Sequence, residues 1–344
     1  MAEQKVTSID VAERAGVSQS AVSRCFTPGA SVSKKTADKV RKAARELGYR
    51  PNVLARAMVS GKSRIIGLVV AYLENYFYPE ALEKLSNALQ EQGYHVLVFM
   101  ASQSAEKIDD VVGEILDYQV DGIVMASVAM SSDIGERCQQ AGVPVVLFNR
   151  AQDGDGISSV TSDNRAGGRK IAEFLVAGGH ARFGYIGGWE QASTQRDREA
   201  GFRDGLAAAG HVLFARGVGD YRAEQARVAA RAMFDARERP DAVFVANDHM
   251  AFAVMDVIRF ELGLSVPGDI SVVGYDDVPP AAWPAYDLTT LRQRTNRMVE
   301  ETVAALLDQI EAPGGARPRR VAIEGPLIVR GSARLPAGIE RVGK

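Results

Sequence analysis

Cysteine and histidine are scarce in this chain, which limits the chemistry that it can perform. The 344 residues include two cysteines and four histidines. Cys25 and Cys138 lie far apart and match neither a disulfide framework nor a metal-ligand spacing, so we expect two reduced thiols. The histidines form no pair with the spacing of metal ligands. The sequence therefore predicts no metal, no cofactor and no redox chemistry.

Long apolar runs are also missing. No stretch reaches the roughly 18 uninterrupted apolar residues of a membrane-spanning helix. The chain opens with Met-Ala-Glu-Gln-Lys and shows no apolar segment of the kind found in a secretory signal peptide. We therefore expect a cytoplasmic protein without membrane contact, and a transport-type solute-binding protein is disfavoured.

A glycine-rich phosphate loop is absent as well. No Gly-x-Gly-x-x-Gly sequence follows a predicted strand. Gly61-Lys62-Ser63 is not a P-loop, because Arg56 occupies the position of the upstream glycine. An enzyme on a Rossmann-like fold is thus a weaker alternative, and we predict no catalytic residue and no enzyme activity.

Basic residues are concentrated at the N-terminus. The first 64 residues contain 13 Lys and Arg against 5 Asp and Glu, whereas the rest of the chain contains 28 against 38. A basic head on an acidic body is typical of nucleic-acid binding by the head. Charge alone is equally compatible with a solvated surface.

The basic head shows the pattern of a helix-turn-helix. Thr7 can cap a helix over residues 8–15, and Ser18 can cap a second helix over residues 19–26. A third helix over residues 33–47 completes a small core. Two short helices joined by a glycine-containing turn form the DNA-binding motif in which the second helix enters the major groove.

The motifs of this head resemble, without gaps, those of the lactose-repressor/galactose-repressor (LacI/GalR) family of transcriptional regulators. They are VTSIDVAERAGVS at 6–18, AVSR at 21–24, VSKKT at 32–36 and LGYRPN at 47–52. The resemblance implies a DNA-binding domain over residues 1–50. It also implies DNA contacts: Gln19, Ser20 and Arg24 at base edges, where Arg and Gln can pair bidentately, and Thr7, Ser18 and Ser23 at phosphates.

A hinge helix is expected over residues 52–59, within a linker over residues 51–64. A helix of about eight residues is marginal in water, so we expect it to fold only against DNA and its dimer mate. In the family this helix inserts a leucine into the minor groove, and Met58 holds the aligned position as an apolar wedge. Asn52 and Ala55 are the other hinge positions expected to contact DNA.

From residue 65 onward, apolar runs alternate with amphipathic segments, which is typical of doubly wound α/β lobes. Predicted strands at 65–71, 95–100, 122–126 and 144–148, with helices between them, form one lobe. A second series follows, with predicted strands at 182–187, 241–246 and 270–274. The chain here resembles a periplasmic-binding-protein-like sensor over residues 65–344. That resemblance implies a first lobe at about 65–162 and 292–322 and a second at about 163–291 and 323–335.

Several polar residues directly follow predicted strands. Asn149, Asn247, Asp248 and Asp276 have this position, and ligands of open α/β lobes bind beyond the carboxyl ends of the strands. We therefore expect these residues to contact an effector in a cleft between the lobes. Asn247 and Asp248 could instead only cap the helix that follows them.

The resemblance adds Arg198 and Gln293 as effector-contacting positions. Phe77, Tyr78 and Tyr221 could supply flat walls, while Trp283 could line the cleft or only pin its loop. Carboxylates, amides and arginine around aromatic rings suit a polyhydroxylated ligand. We expect a sugar, and the pair Arg196 and Arg198 leaves room for a sugar acid or sugar phosphate.

Together these features predict a homodimeric repressor whose affinity for double-stranded operator DNA is controlled allosterically by a small molecule. A corepressed regulator or an activator of the same fold stays open, because nothing in the sequence decides the sign of the effector's action.

Overall fold

The computed structural model describes residues 6–27, 30–50, 62–101, 105–128, 132–152, 156–312 and 317–338. The chain divides into two compact units, Met1–Ser63 and Arg64–Lys344. The predicted hinge helix, with Asn52, Ala55 and Met58, lies outside the described residues. Among the helices of the described ranges, none is both long enough and apolar enough to cross a bilayer.

The first unit is a three-helix domain made of α1 (Ser8–Ala15), α2 (Gln19–Phe26) and α3 (Lys34–Leu47). Its core consists of small and β-branched side chains, with Val11, Val22 and Val40 almost inaccessible to water. Thr7, Ser18 and Ser33 cap the three helices. Ile9 of α1 is apolar but does not join this core, since it is 52% exposed.

The second unit contains two six-stranded sheets. The first sheet has the order β11-β5-β4-β3-β1-β2, and all of its strand pairs are parallel. Its strands are β1 (Ile65–Val70), β2 (His95–Met100), β3 (Gly122–Ala126), β4 (Val145–Phe148), β5 (Ser158–Ser162) and β11 (Arg320–Ile323).

The second sheet has the order β12-β10-β9-β8-β6-β7 and is parallel except for the β10–β12 pair. Its strands are β6 (Phe183–Gly187), β7 (Leu213–Val218), β8 (Ala242–Val245), β9 (Ser271–Asp276), β10 (Thr289–Arg292) and β12 (Leu327–Ile328). The core strands read as continuous apolar runs because helices cover both faces of a parallel sheet.

The helices of the second unit connect successive strands. They are α4 (Phe77–Glu91), α5 (Ala105–Asp117), α6 (Ser132–Gln140), α7 (Asn164–Ala177), α8 (Ser193–Ala208), α9 (Ala223–Phe234), α10 (Asp248–Asp256) and α11 (Thr295–Glu311). A π-helical turn, Val257–Glu261, continues α10. A short 3₁₀ helix, Pro279–Ala282, follows β9.

Helices α7 and α8 approach each other unusually closely, which positions the side chains of α8. A Cβ atom added at Gly168 would lie 2.2 Å from the carbonyl oxygen of Arg198, and one added at Gly201 would lie 2.0 Å from that of Arg165. Only glycine permits such an approach of two backbones. These glycines therefore set the distance of Arg198 from the strands beside it.

Three observed strands were not predicted: β5, β7 and β10. The polar sequence SSVTS of β5 lacks an apolar run, although four of its five residues are buried. Strand β7 lies at the edge of its sheet, where its residues alternate between partly buried and exposed. Near the C-terminus, β11 and β12 are two short strands that belong to different sheets.

Candidate functional site

Helix α2 presents a polar face to solvent. It buries Ala21 and Val22 against the other two helices, so that Gln19, Ser20, Ser23 and Arg24 all lie exposed. The arginine Nε donates to the carbonyl oxygen of Ser20 at 3.4 Å, and the Gln19 amide donates to Ser8 Oγ at 3.0 Å. The four predicted DNA-contacting residues of α2 are thus available on one surface.

Thr7 and Ser18 lie at the N-termini of α1 and α2. The Thr7 hydroxyl accepts from the Asp10 amide at 3.4 Å, while the Asp10 carboxylate accepts from the Thr7 amide at 2.7 Å. Ser18 Oγ accepts from the Ala21 amide at 3.3 Å. Both hydroxyls are exposed caps at helix N-termini, where backbone N–H groups favour anions such as phosphate.

A small cavity lies between the two sheets of the second unit, beyond the carboxyl ends of their strands. Its volume is about 10 Å³, which is room for about one water molecule. Its lining consists of Tyr72, Asn75, Tyr78, Asn149, Arg150, Thr194, Arg198, Tyr221, Asn247 and Asp276. The structure therefore brings six of the nine predicted effector contacts together, namely Tyr78, Asn149, Arg198, Tyr221, Asn247 and Asp276.

Three hydrogen bonds cross this cavity region and join the two sheets. Asn75, which precedes α4, donates to Asp276 Oδ2 at 3.1 Å. Arg150, which follows β4, donates from Nη1 to Thr194 Oγ1 at 3.0 Å. The Ala151 amide donates to Ser193 Oγ at 2.9 Å. The lobes are thus already in contact across the cleft, and the cavity is smaller than the 300 Å³ or more of a typical ligand pocket.

Asp276 ends β9 with a φ of 130°, a conformation that costs backbone energy for a residue with a side chain and is found preferentially at ligand sites. Its Oδ1 accepts from Gln293 Nε2 at 2.7 Å and lies 3.7 Å from Arg198 Nη2. Burial raises the pKa of the Asp276 carboxyl, and the neighbouring Arg198 cation opposes this shift.

Arg198 is held on three sides. Its guanidinium lies 3.6 Å from the centroid of the Tyr275 ring and donates to Asn164 Oδ1 at 2.8 Å and to the Ala246 carbonyl oxygen at 2.5 Å. Its side chain is 3% exposed. Two of its three guanidinium nitrogens thus already donate, so Arg198 is a fixed cation with little freedom to adapt to a ligand.

Asp248 does not line the cavity. Its carboxyl accepts from the Thr290 hydroxyl at 2.6 Å and from the Val278 amide at 3.0 Å, so it ties together strand β10 and the chain segments that follow β8 and β9. Burial and the nearby Asp276 carboxylate raise the pKa of Asp248 to about 8. The proton rests on Asp248 because Asp276, not Asp248, has an arginine beside it.

Phe77 and Gln293 also lie outside the cavity lining. Phe77 is buried at the start of α4 and stacks on Phe148 with ring centroids 6.1 Å apart. Both residues line a wider depression on the other side of Asp276, together with Arg292 and Asn296. The sequence predicted that Phe77 and Gln293 lie near the cleft, but it could not show that Asp276 separates them from the cavity.

Asn247 combines the two roles that the sequence left open. Its Oδ1 accepts from the Met250 amide at 2.9 Å and caps α10, while the residue also lines the cavity. Trp283 lines neither the cavity nor the depression within the described part of the chain; its side chain is 52% exposed after the 3₁₀ helix.

Some cavity atoms are buried without a hydrogen-bond partner. They are Asn149 Oδ1, Asn247 Nδ2, and Nε and Nη2 of Arg150. Buried polar atoms in folded proteins nearly always have a partner, so a cluster of such atoms needs an explanation. Donors and acceptors that converge on one cavity are suited to a ligand that both accepts and donates hydrogen bonds.

Four lining residues were missed from the sequence: Tyr72, Asn75, Arg150 and Thr194. Tyr72 and Arg150 follow β1 and β4 closely, so the rule that selected Asn149 could have found them. Thr194 lies in the first turn of α8, and Asn75 precedes α4, where no pattern marks them. Within the described residues, no cluster of His, Cys, Asp or Glu could hold a metal ion.

Comparisons with known proteins cover both units. Residues 8–52 match the bacterial regulatory proteins of the lacI family, and residues 172–333 match the periplasmic binding protein-like domain. The HTH-type transcriptional regulator CelR of Thermobifida fusca is 32% identical over 331 residues, which cover 94% of this chain and 96% of that protein.

Two solved structures extend the similarity to the whole fold. The lac repressor dimer bound to operator and the anti-inducer ONPF has a TM-score of 0.86 at 29% identity, covering 96% of this chain and 99% of that one. The transcriptional regulator CelR–cellobiose complex has a TM-score of 0.72 at 30% identity, covering 95% and 100%.

Proposed function

The chain belongs to the LacI family of bacterial regulatory proteins, and from this premise we propose that it is a repressor whose affinity for an operator is controlled by a sugar-like ligand in the interlobe cavity. A DNA-binding transcription regulator is the function common to the family. The cluster of buried, unpartnered polar atoms around Asn149, Arg150 and Asn247 carries the proposal of a ligand.

The three-helix unit supplies the DNA contacts. Residues 1–50 form the DNA-binding domain, in which Gln19, Ser20 and Arg24 read base edges from the exposed face of α2. Thr7, Ser18 and Ser23 bind phosphates. Residues 51–64 form the hinge, where Asn52, Ala55 and Met58 contact the minor groove.

The second unit, residues 65–344, senses the ligand and forms the dimer. Asp276, Arg198, Asn247 and Asn149 bind ligand hydroxyls, and Tyr78 and Tyr221 form the walls. Phe77, Gln293 and Asp248 support the site from behind. Since the lobes already touch across the cleft, a sugar enters only when they move apart, and its binding then selects one lobe arrangement over the other.

The exposed edge of the first sheet favours the homodimer. Val98 and Met100 project from edge strand β2 and are 51% and 54% exposed. Apolar side chains on an unpaired edge strand are a liability unless another surface covers them. A second copy at this edge would place two DNA-binding units on a pseudo-palindromic site and couple lobe movement to the spacing of the hinges.

The protein acts in the cytoplasm, where operator DNA is found, and it returns its ligand unchanged because it is not an enzyme. The cavity lining contains no histidine, cysteine or serine, and its one carboxylate, Asp276, is already engaged by Asn75, Gln293 and Arg198. Turnover of the bound ligand would contradict this part of the proposal.

Selection of fragments from the protein's own genome tests the function. We expect salt-sensitive, sequence-selective binding at promoter regions and release of those fragments by a sugar. Asp276→Ala should bind the same fragments yet lose the sugar response, whereas Asp204→Ala, which breaks exposed ion pairs with Arg165 and Arg169, should respond normally. Binding to all fragments with equal affinity, with and without sugars, would refute the proposal.

A further inference from the structure

Arg150 is a buried cation whose charge no acidic side chain balances directly. It is 3% exposed and lines the interlobe cavity. Its Nη1 donates to the Asn149 carbonyl oxygen at 2.8 Å and to Thr194 Oγ1 at 3.0 Å. In the part of the chain that the structure describes, no Asp or Glu oxygen lies within 4.0 Å of its guanidinium. A buried arginine in such surroundings is costly unless a ligand supplies the opposite charge.

The unpartnered atoms of Arg150 form one edge of the guanidinium. Nε and Nη2 point the same way and are both buried without a partner that meets hydrogen-bond geometry, although the Tyr78 hydroxyl is close enough to help raise the pKa of the guanidinium. This edge binds a carboxylate through two parallel hydrogen bonds. Two other arginines of the chain use it in that way: Arg216 with Glu199, and Arg231 with Glu261.

The aromatic neighbours of Arg150 do not replace a carboxylate. The guanidinium carbon lies 5.7 Å from the centroid of the Tyr221 ring. Burial raises the pKa values of Tyr72 and Tyr78 above that of an ordinary phenol, so both side chains stay neutral at physiological pH. The Asp276 carboxylate is taken by Asn75, Gln293 and Arg198.

The charges around the cavity leave one unit of positive charge. Arg150 and Arg198 are cations, and Asp276 beside Arg198 supplies one negative charge. Asp248 behind the cavity holds a proton because its pKa is raised to about 8. A ligand with a single negative charge would neutralise the site, whereas a phosphate ester carries about −1.5 to −2 charges at pH 7.

We propose that the effector is a monoanionic, carboxylate-bearing polyhydroxy compound, such as an aldonate or a uronate, and that the Nε–Nη2 edge of Arg150 binds its carboxylate. This inference rests on the proposed ligand-binding function and narrows its ligand class. The sequence had suggested Arg196 as a partner for an acidic ligand, but Arg196 is exposed on α8. Arg150 takes that role instead, as a residue that determines ligand specificity.

A matched ligand panel tests the proposal on the full-length protein. Hexoses, their uronates and aldonates, and their 6-phosphates are titrated calorimetrically at equal ionic strength. We expect at least one carboxylate to bind about 100-fold more tightly than its neutral parent, the discrimination typical of a buried charged hydrogen-bonded pair. Arg150→Gln should lose this preference, and Arg196→Gln, the control, should keep it.

A second measurement does not depend on the choice of ligand. Arg150→Met should raise the melting temperature of the ligand-free protein, because an apolar side chain replaces a buried charge without a carboxylate partner. Arg198→Met should lower it, because Asp276 would then lose its cation. A lower melting temperature of Arg150→Met would assign Arg150 to holding the lobes together and overturn the proposal.

Each of the other possible results of the ligand panel would count against the proposal. Equal binding of neutral sugars and acids, binding of phosphates alone, binding of no acid, or an unchanged preference in Arg150→Gln would each refute a carboxylate at Arg150. Selective binding of genomic DNA, measured on the same samples, separates these failures from a failure of the proposed regulator function. A protein that binds its operator but prefers neutral sugars keeps the function and loses only the ligand class.

Discussion

Hydrogen bonding decides which polar side chains of the site are available to a ligand. Asn247 uses its oxygen to cap α10 and keeps its amide nitrogen unpartnered. Both carboxyl oxygens of Asp248 accept hydrogen bonds, one from the Thr290 hydroxyl and one from the Val278 amide. Neighbouring residues with similar side chains therefore have different roles, and only their hydrogen-bond partners distinguish them.

Substitution of Arg24 tests whether α2 contacts base edges. Arg24→Ala should weaken binding to the selected operator by about 1–3 kcal/mol and relax the preference for one base pair, because its guanidinium is exposed on the outer face. Arg41→Ala, an exposed arginine of α3, should weaken operator and random DNA alike. Fluorescence anisotropy on both DNAs checks this, and an equal loss on both for Arg24→Ala would exclude base reading.

Asp248 gives the stability of the second unit an unusual pH dependence. Its pKa, raised to about 8, exceeds that of the unfolded chain, so the folded state binds one more proton between about pH 4 and pH 8. The free energy of unfolding should therefore fall as the pH rises through this range, by up to about 1.4 kcal/mol per pH unit.

Asp248→Asn removes the titrating group and isolates this effect. Relative to the native chain, the variant should gain in melting temperature as the pH increases from about 5 to about 8. Asp204→Asn, at an exposed ion pair, should show a nearly constant difference. A difference for Asp248→Asn that does not change with pH would mean that Asp248 is ionised throughout.

Among the elements, α8 contributes most to the cavity on the side of the second sheet. It carries Thr194 and Arg198, and its separation from α7 is set by glycines that let the two backbones touch. The precision of a binding site depends on such packed supports, since a small shift of a helix moves every side chain on it.

Gly168→Ala should separate α7 from α8 and move Arg198. The added Cβ would meet the Arg198 carbonyl oxygen at 2.2 Å, a contact that only a backbone shift can relieve. We expect a loss of about 1–3 kcal/mol in unfolding free energy and a weaker ligand response in thermal-shift titrations. Gly113→Ala in α5, where the Cβ would meet only the end of the Arg137 side chain at 3.2 Å, is the control. A normal ligand response in Gly168→Ala would show that α8 can shift without affecting the site.

At the scale of the whole molecule, charge is divided between the two units. The DNA-binding unit is basic and the ligand-binding unit acidic, so attraction to DNA phosphates concentrates on the former while repulsion keeps the latter away. Such a division orients the protein on DNA before any base contact forms.

The proposed dimer interface at the β2 edge can be tested by substitution. Introducing Val98→Asp with Met100→Asp on β2 should convert the proposed dimer into single chains in sedimentation experiments. Operator affinity should fall about 100-fold or more, because two linked headpieces bind far more tightly than one. Val212→Asp, at a residue that is 81% exposed next to the opposite sheet's edge strand, should leave the dimer intact. A dimer that survives the double substitution would place the interface elsewhere.

The local pattern of the sequence determined the helices of the first unit and most strands of the second. Caps at Thr7, Ser18 and Ser33 and stops at Gly16 and Gly48 act within a few residues, so they can be read without knowledge of the fold. Continuous apolar runs marked the core strands for the same reason. The family motifs then allowed its membership, two-lobed architecture and DNA-binding function to be predicted, and these are confirmed.

Only the tertiary structure decided which polar residues meet. Asn75 and Asp276, or Arg150 and Thr194, are far apart in the chain and come together because two sheets end at one cleft. The rule that ligand contacts follow strands could select Asn149. It could not show that the Asp248 side chain turns away to Thr290, or that one edge of the Arg150 guanidinium stays without a hydrogen-bond partner. Side-chain direction and hydrogen-bond partners depend on packing between distant segments, which no local pattern encodes.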